Sequence, residues 1–333
     1  MDAHFAIEYV RVFLLVICLA IAGYSDFTKL IVKDRHWFFW TLPAIILLIL
    51  DLIITNSSIW NFLMIFAILS LAASTVGIIP KFKGNSKINL INISLLMLYL
   101  LGIIGLLGGL LNYTNINYYS LILSEESKDV MLWWSMLNAI FLITVFIFVW
   151  KIELIRGGAD IKALIWIIIL IPSWTFIPQP YLHSHDIFLD IDIIFQLHPS
   201  FVLFLWASSI FLIAPIFFII KNIIKRNINS LADLKMAWHA IKMPLSEIPG
   251  KDVWLLSDVI LDESDNYLQT ITLFFPQKED QNLLEKVEKL RRYGLESAWV
   301  TKKHPFVTYL CIAILPMMLL GDPVALIMSI YYS

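Results

Sequence analysis

An all-α polytopic membrane helix bundle, with about eight transmembrane helices and a small α+β cytoplasmic insert, is the fold class that this sequence predicts. Three observations predict it. Hydrophobic residues make up 59% of the chain and charged residues 15%, against about 45–50% and about 25% in soluble domains. Apolar runs recur at close to the roughly 20 residues that a helix needs to cross a bilayer at 1.5 Å per residue. One long polar stretch, residues 226–303, stands apart from them.

The runs cover residues 5–24, 38–54, 59–79, 88–111, 131–150, 161–180, 200–220 and 305–329. The first opens with Asp2 and Glu8 rather than with the basic residues of a secretory signal, so it is expected to stay as a helix. In the sixth, Pro172, Pro178 and Pro180 interrupt the run. Residues 1–225 thus form a membrane domain, 226–303 the insert and 304–333 a final transmembrane helix. Inside the insert, residues 253–261 and 267–275 read as a hairpin turned by Asp262 to Asn266. Residues 279–293 show helical spacing through Leu283, Leu284, Val287 and Leu290, and a further strand is expected near Trp299.

Orientation follows from the basic residues, which favour the cytoplasmic side. They fall after alternate runs: Lys29, Lys33 and Arg35; Lys81, Lys83 and Lys87; Lys151 and Arg156. The intervening loops are neutral or acidic, with Asp51, then Glu125, Glu126 and Asp129 against Lys128, then Asp186, Asp190 and Asp192. Run seven exits into Lys221, Lys225 and Arg226, which assigns the insert to the cytoplasm and both termini to the outside of a multi-pass cell-membrane protein.

The formal net charge of −2 leaves no basic face for phosphates, so nucleic acid is not an expected partner; the lipid bilayer is. Cys18 and Cys311 lie far apart inside apolar runs and read as small buried hydrophobes. His183, His185, Asp186, Asp190, Asp192 and His198 carry metal-ligating groups, but in a loop assigned to the outside; no metal and no cofactor is expected. The sequons at Asn56 and Asn112 fall in outward loops, and that at Asn92 falls inside a run.

Carboxylates at the edge of a membrane are costly and therefore informative. Asp26 follows run one in Ala22-Gly23-Tyr24-Ser25-Asp26, and Asp160 opens run six in Gly157-Gly158-Ala159-Asp160-Ile161-Lys162. The alternation puts both at the cytoplasmic edge. Two carboxylates brought together do not both ionise readily, so one keeps its proton and the pair can serve as general acid and general base around one water. Gly157 and Gly158 permit close backbone approach, and Lys162 lies a short step beyond Asp160. Residue spacing equally allows each Asp to be a helix-end acid, Asp160 at the positive N-terminus of run six. It also allows a cation- or proton-coupled transporter that uses Asp26 and Asp160.

At these residues the chain resembles the archaeal prepilin and preflagellin (prearchaellin) peptidases, relatives of type IV prepilin peptidases among the GxGD aspartyl proteases. Asp26 ahead of Lys29, Lys33 and Arg35 is similar to the family's first catalytic aspartate and its basic segment. Gly157 to Asp160 with Lys162 resembles the second motif, with Ala159 at its second glycine. Leu30 stands where the family has an arginine, and Asp160 opens the sixth run where the family's aspartate lies on the fourth. Ala298 to Thr301, Pro305-Phe306 and Gly321-Asp322 look like the family's C-terminal segment; residues 40–150 show little likeness. The resemblance implies a metal-free aspartic endopeptidase that removes short basic leaders from prepilin or archaellin precursors at the cytoplasmic face. Presenilin-like proteases add a Pro-Ala-Leu tripeptide, which Pro323-Val324-Ala325-Leu326 does not match.

The charge pattern sets a first test. Single cysteines placed near residues 30, 84 and 154, or within 226–303, are expected to resist a membrane-impermeant maleimide added from outside. Labelling at any of these loops contradicts the orientation.

Overall fold

The computed structural model describes residues 3–80, 90–113, 126–155, 157–181, 197–251, 253–261, 267–272, 283–302 and 304–332. In chain order the helices are α1 (Ala3–Lys29), α2 (Asp34–Ile54), α3 (Ile59–Thr75), α4 (Leu90–Tyr113), α5 (Lys128–Lys151), α6 (Gly158–Leu170) and α7 (Pro199–Phe211). They continue with α8 (Ala214–Ile224), α9 (Leu231–Ala237), α10 (Leu283–Arg292), α11 (Phe306–Leu320) and α12 (Pro323–Tyr332). Five strands lie between α9 and α11: β1 (Ile241–Pro244), β2 (Val253–Leu255), β3 (Ser257–Leu261), β4 (Tyr267–Thr272) and β5 (Ser297–Lys302). The chain divides into two compact units, Met1–Ser208 with Pro305–Ser333, and Ser209–His304.

Five segments are long and apolar enough to cross a membrane: Phe5–Lys29, Asp34–Ile54, Asn92–Tyr113, Lys128–Lys151 and Pro199–Ile224. The protein is therefore a mostly helical, multi-pass membrane protein with a small sheet. The expected eight full spans are not all found among the described residues, and the differences have physical causes. The run at 161–180 yields only α6, because Pro172 drives Ile171 out of the helical region, to φ −133° and ψ 80°. A single 3-10 turn, Trp174–Phe176, follows. The run at 59–79 ends as a helix at Thr75. The run at 305–329 is broken by Gly321, at φ +73°, into α11 and α12. Asp322 then accepts the N–H of Val324 at 2.9 Å, a cap for α12, and that of Leu197 at 2.7 Å.

In the first unit α6 is the hub, packed against α1, α2, α3, α5 and α11. Ile161 and every residue from Ala163 to Leu170 are buried, as an all-round apolar helix requires. Around it α3 and α4 approach closely: a Cβ on Gly102 or Gly105 would lie 2.7 Å from Ala67 or Leu63.

Asp51, which the charge pattern assigns to an outward loop, belongs instead to α2 and is buried there. Arg11 of α1 and Asp51 of α2 are buried, at 0% and 1% exposure, and paired. Arg11 Nη2 and Nε donate to Asp51 Oδ2 at 2.5 and 3.1 Å, and Nη1 donates to the carbonyl of Leu170, the last residue of α6. The Phe176 ring lies 4.8 Å from the guanidinium carbon. A helix that stops inside an apolar solvent leaves its last carbonyls without partners; Arg11 supplies one.

In the second unit β5 is central to an antiparallel sheet of order β1-β5-β2, while β3 pairs with β4. The strand expected over 253–261 is divided at Leu256, so its first half joins β5 and its second half joins β4. The β3–β4 turn at 262–266 lies outside the described residues. Val287 and Leu290 of α10 pack with Met243, Val253, Val259 and Val300 in one core. Lys289 of α10 bonds Asp258 of β3 at 3.0 Å. Burial works against that carboxylate, but Lys289 and the Val259 N–H hold it below the ordinary aspartate range.

Removing one member of a buried pair strands the other charge, at about 3–5 kcal/mol, whereas replacing both with apolar groups is often neutral. Arg11→Met and Asp51→Leu are each expected to lower the unfolding midpoint in detergent, and the double variant to recover most of the loss. A double variant as unstable as either single one contradicts a mutually compensated pair.

Candidate active site

Asp26 sits in the last turn of α1, which runs on to Lys29 rather than ending before the aspartate. Its side chain is buried, at 6% exposure. The Oδ2 atom accepts the N–H of Val307, in the first turn of α11, at 3.0 Å. The Thr308 hydroxyl donates to the Gly23 carbonyl at 2.9 Å. A Cβ at Gly23 would lie 3.2 Å from Thr308 Cα, so the glycine lets α1 and α11 come together at this end. Asp26 thus occupies the positive end of a helix other than its own.

Asp160 is the third residue of α6, half-buried, with its N–H bonded to the Gly157 carbonyl at 3.1 Å. Its carboxylate folds back over the start of the helix: a Cβ on Gly157 would stand 1.8 Å from Asp160 Oδ2. Gly158 is different, since a Cβ there would meet only the Trp150 ring at 3.5 Å, ordinary contact. Ala159 is half-buried in the same turn.

Residues separated by most of the membrane domain in sequence are brought together here. Asp26 and Asp160 lie close enough for the charge of one to act on the other. Backbone packing explains the meeting, because α6 touches both α1 and α11. A pair of carboxylates in a poorly hydrated setting, with one held by a backbone N–H, can bind and polarise a water and move a proton between its members.

Lys162 does not turn toward this pair. Its ammonium bonds Asp34 Oδ1, at the start of α2, at 2.6 Å, with the lysine side chain 14% exposed and the aspartate 54%. A half-exposed pair of this kind stabilises by roughly 0.2–1 kcal/mol; its evident role is to join the starts of α2 and α6. Asp34, at first sight an unremarkable loop acid, is therefore tied to the motif through Lys162.

The other chemistry-bearing residues separate from the pair. Cys18 is buried with its sulfur 3.3 Å from His36 Nε2, and Cys311 is partly buried. His198 is buried and bonds the Pro172 carbonyl at 3.0 Å and the Ser200 hydroxyl at 2.9 Å. His183, His185, Asp186, Asp190 and Asp192 lie outside the described residues. Among the described residues no group of three or more His, Cys, Asp and Glu side chains is arranged to hold a metal. Two features of the site escape a sequence reading: the Val307 N–H, which as a backbone donor leaves no compositional trace, and Arg11, which anchors the opposite end of α6. A charged residue inside an apolar run was the one available signal for the second.

The glycines give a discriminating test. Gly157→Ala must swing the Asp160 carboxylate aside, a movement of a side-chain end, whereas Gly158→Ala in the first turn of the helix leaves it where it is and is expected to be neutral or slightly stabilising. Labelling of Asp160 by a carbodiimide, read by mass spectrometry, is expected to change in Gly157→Ala and not in Gly158→Ala, and equal labelling in the two variants contradicts the geometry. No protein-family model and no curated protein matches the chain.

Proposed function

We propose that the protein is a membrane aspartic endopeptidase that removes the short leader from prepilin- or archaellin-like precursors, with Asp26 and Asp160 as its catalytic pair. The single observation that carries the reading is the approach of these two carboxylates, from α1 and α6, to within electrostatic reach. The likeness of their flanking residues to the GxGD motifs supplies the substrate class, and the basic-residue pattern supplies the cytoplasmic face.

The hydrogen bond from Val307 and the positive end of α11 favour negative charge on Asp26. Asp26 is accordingly the base, and Asp160 carries the shared proton. Water bound between them gives a proton to Asp26 as its oxygen attacks the scissile carbonyl carbon, while Asp160 donates its proton to the carbonyl oxygen. The tetrahedral intermediate then collapses: the oxygen returns its proton to Asp160, the C–N bond breaks, and Asp26 protonates the leaving amine. Gly157 leaves room for the Asp160 carboxylate at the start of its helix, and the Lys162–Asp34 bond fixes that start against α2.

One observation favours a second reading, a cation- or proton-coupled transporter that uses Asp26 and Asp160: Arg11 and Asp51 put charge inside the bundle. Those two charges compensate each other and hold a helix end, which is a structural use.

In membranes containing a tagged precursor, Asp26→Asn and Asp160→Asn are each expected to abolish detectable leader removal, by about 10²–10⁴-fold on the scale of lost acid–base catalysis, with membrane insertion unchanged. Wild-type cleavage should decline on both sides of a pH optimum, since too much acid leaves the pair with two protons and too little leaves it with none. Processing retained by either Asn variant refutes the proposal; proton-coupled uptake into proteoliposomes lost in the same variants, with no cleavage by the wild type, transfers it to the transporter.

A further inference from the structure

A groove of about 210 Å³ lies between α2, α3, α4 and α6, walled by Trp37, Thr41, Ala72, Ala73, Trp166 and Ile169 among others, with Lys162 at one end. Lys162, Ile165, Trp166 and Ile169 recur at helical spacing along one stripe of α6. From Lys162 the groove follows that stripe to Ile169, a rise of about 10 Å at 1.5 Å per residue. Small side chains at Ala72 and Ala73 leave the space.

Two properties set this groove apart from ordinary lipid-facing surface. Trp37 and Trp166, 4% and 2% exposed, both have indole N–H groups without a hydrogen-bond partner, and their rings lie 6.4 Å apart on the same wall. Both nitrogens are closed off from the groove, so the wall they stand behind is apolar and suits a hydrocarbon chain. The end of the groove also carries charge: Lys162 lines it and is bonded to Asp34, whose sequence neighbours at the start of α2, Lys33 and Arg35, are exposed cations.

We propose that this groove binds one anionic membrane lipid, its alkyl chain along Trp166 and Ile169 and its headgroup at Lys162 and the basic start of α2. An apolar slot opening beside cations, in a protein whose surroundings are lipid, is complementary to an acidic headgroup on a hydrocarbon chain. A cleaved precursor helix fits less well. Asp160 lies two residues before Lys162, roughly 200° around α6, so a chain held in the groove runs along the flank of α6 turned away from the Asp26–Asp160 pair. The proposal does not rest on the protease reading.

Native mass spectrometry of the whole protein, delipidated in detergent and given equal phosphatidylglycerol and phosphatidylcholine, tests it. Phosphatidylglycerol adducts should survive activation that strips phosphatidylcholine, Lys162→Gln should lower their occupancy about fivefold, and Ala73→Phe, which fills the groove, should remove them. Should Ala73→Phe fail to fold, Lys162→Gln alone decides. Equal retention of the two lipids, or unchanged retention in Lys162→Gln, overturns the proposal. Displacement of phosphatidylglycerol by a synthetic precursor helix also overturns it and assigns the groove to peptide.

Discussion

The architecture of the first unit depends on the guanidinium of Arg11. Backbone groups inside a bilayer need partners from the protein, and α6 stops after Leu170 because Pro172 forbids it to continue. Arg11 donates to that terminal carbonyl while its charge is matched by Asp51. One side chain therefore joins α1, α2 and the far end of α6, the three helices whose other ends carry Asp26, Asp34 and Asp160. Both partners are out of water, so the pair brings specificity of arrangement rather than a large net gain in stability.

At the opposite end of α6 the joints are weaker in kind. Lys162 bonds Asp34 near the surface, and Asp26 takes the Val307 N–H. A short helix fixed firmly at one end and held by individual polar contacts at the other keeps Asp160 in a defined place. Gly157 serves the same end, since the space it leaves is the space the carboxylate occupies.

Much of this was legible in the sequence and part was not. Long apolar runs announce themselves because the solvent is hydrocarbon, so α1, α2, α4 and α5 fall where residue count puts them. Breaks are harder. Pro172 was visible, yet apolar residues on both sides of it read as one span; Gly321-Asp322 likewise marks a boundary that hydrophobicity alone overrides. The division of 253–261 at Leu256 arises from two different pairing partners, information that the strand itself does not contain. Asp26 and Asp160 could be singled out as acids at the ends of apolar runs. The pairings Arg11–Asp51, Lys162–Asp34 and Asp26–Val307 join residues 40, 128 and 281 positions apart, and no local pattern encodes them.

The last of these joins has a consequence for biogenesis. Asp26 leaves the ribosome 281 residues ahead of Val307, which completes its surroundings. Every intervening helix and the whole second unit are synthesised while Asp26 lacks the donor that α11 provides. The geometry around the aspartate pair thus forms only once α11 has been made, and a nascent chain arrested before α11 carries both carboxylates without the setting that distinguishes one from the other.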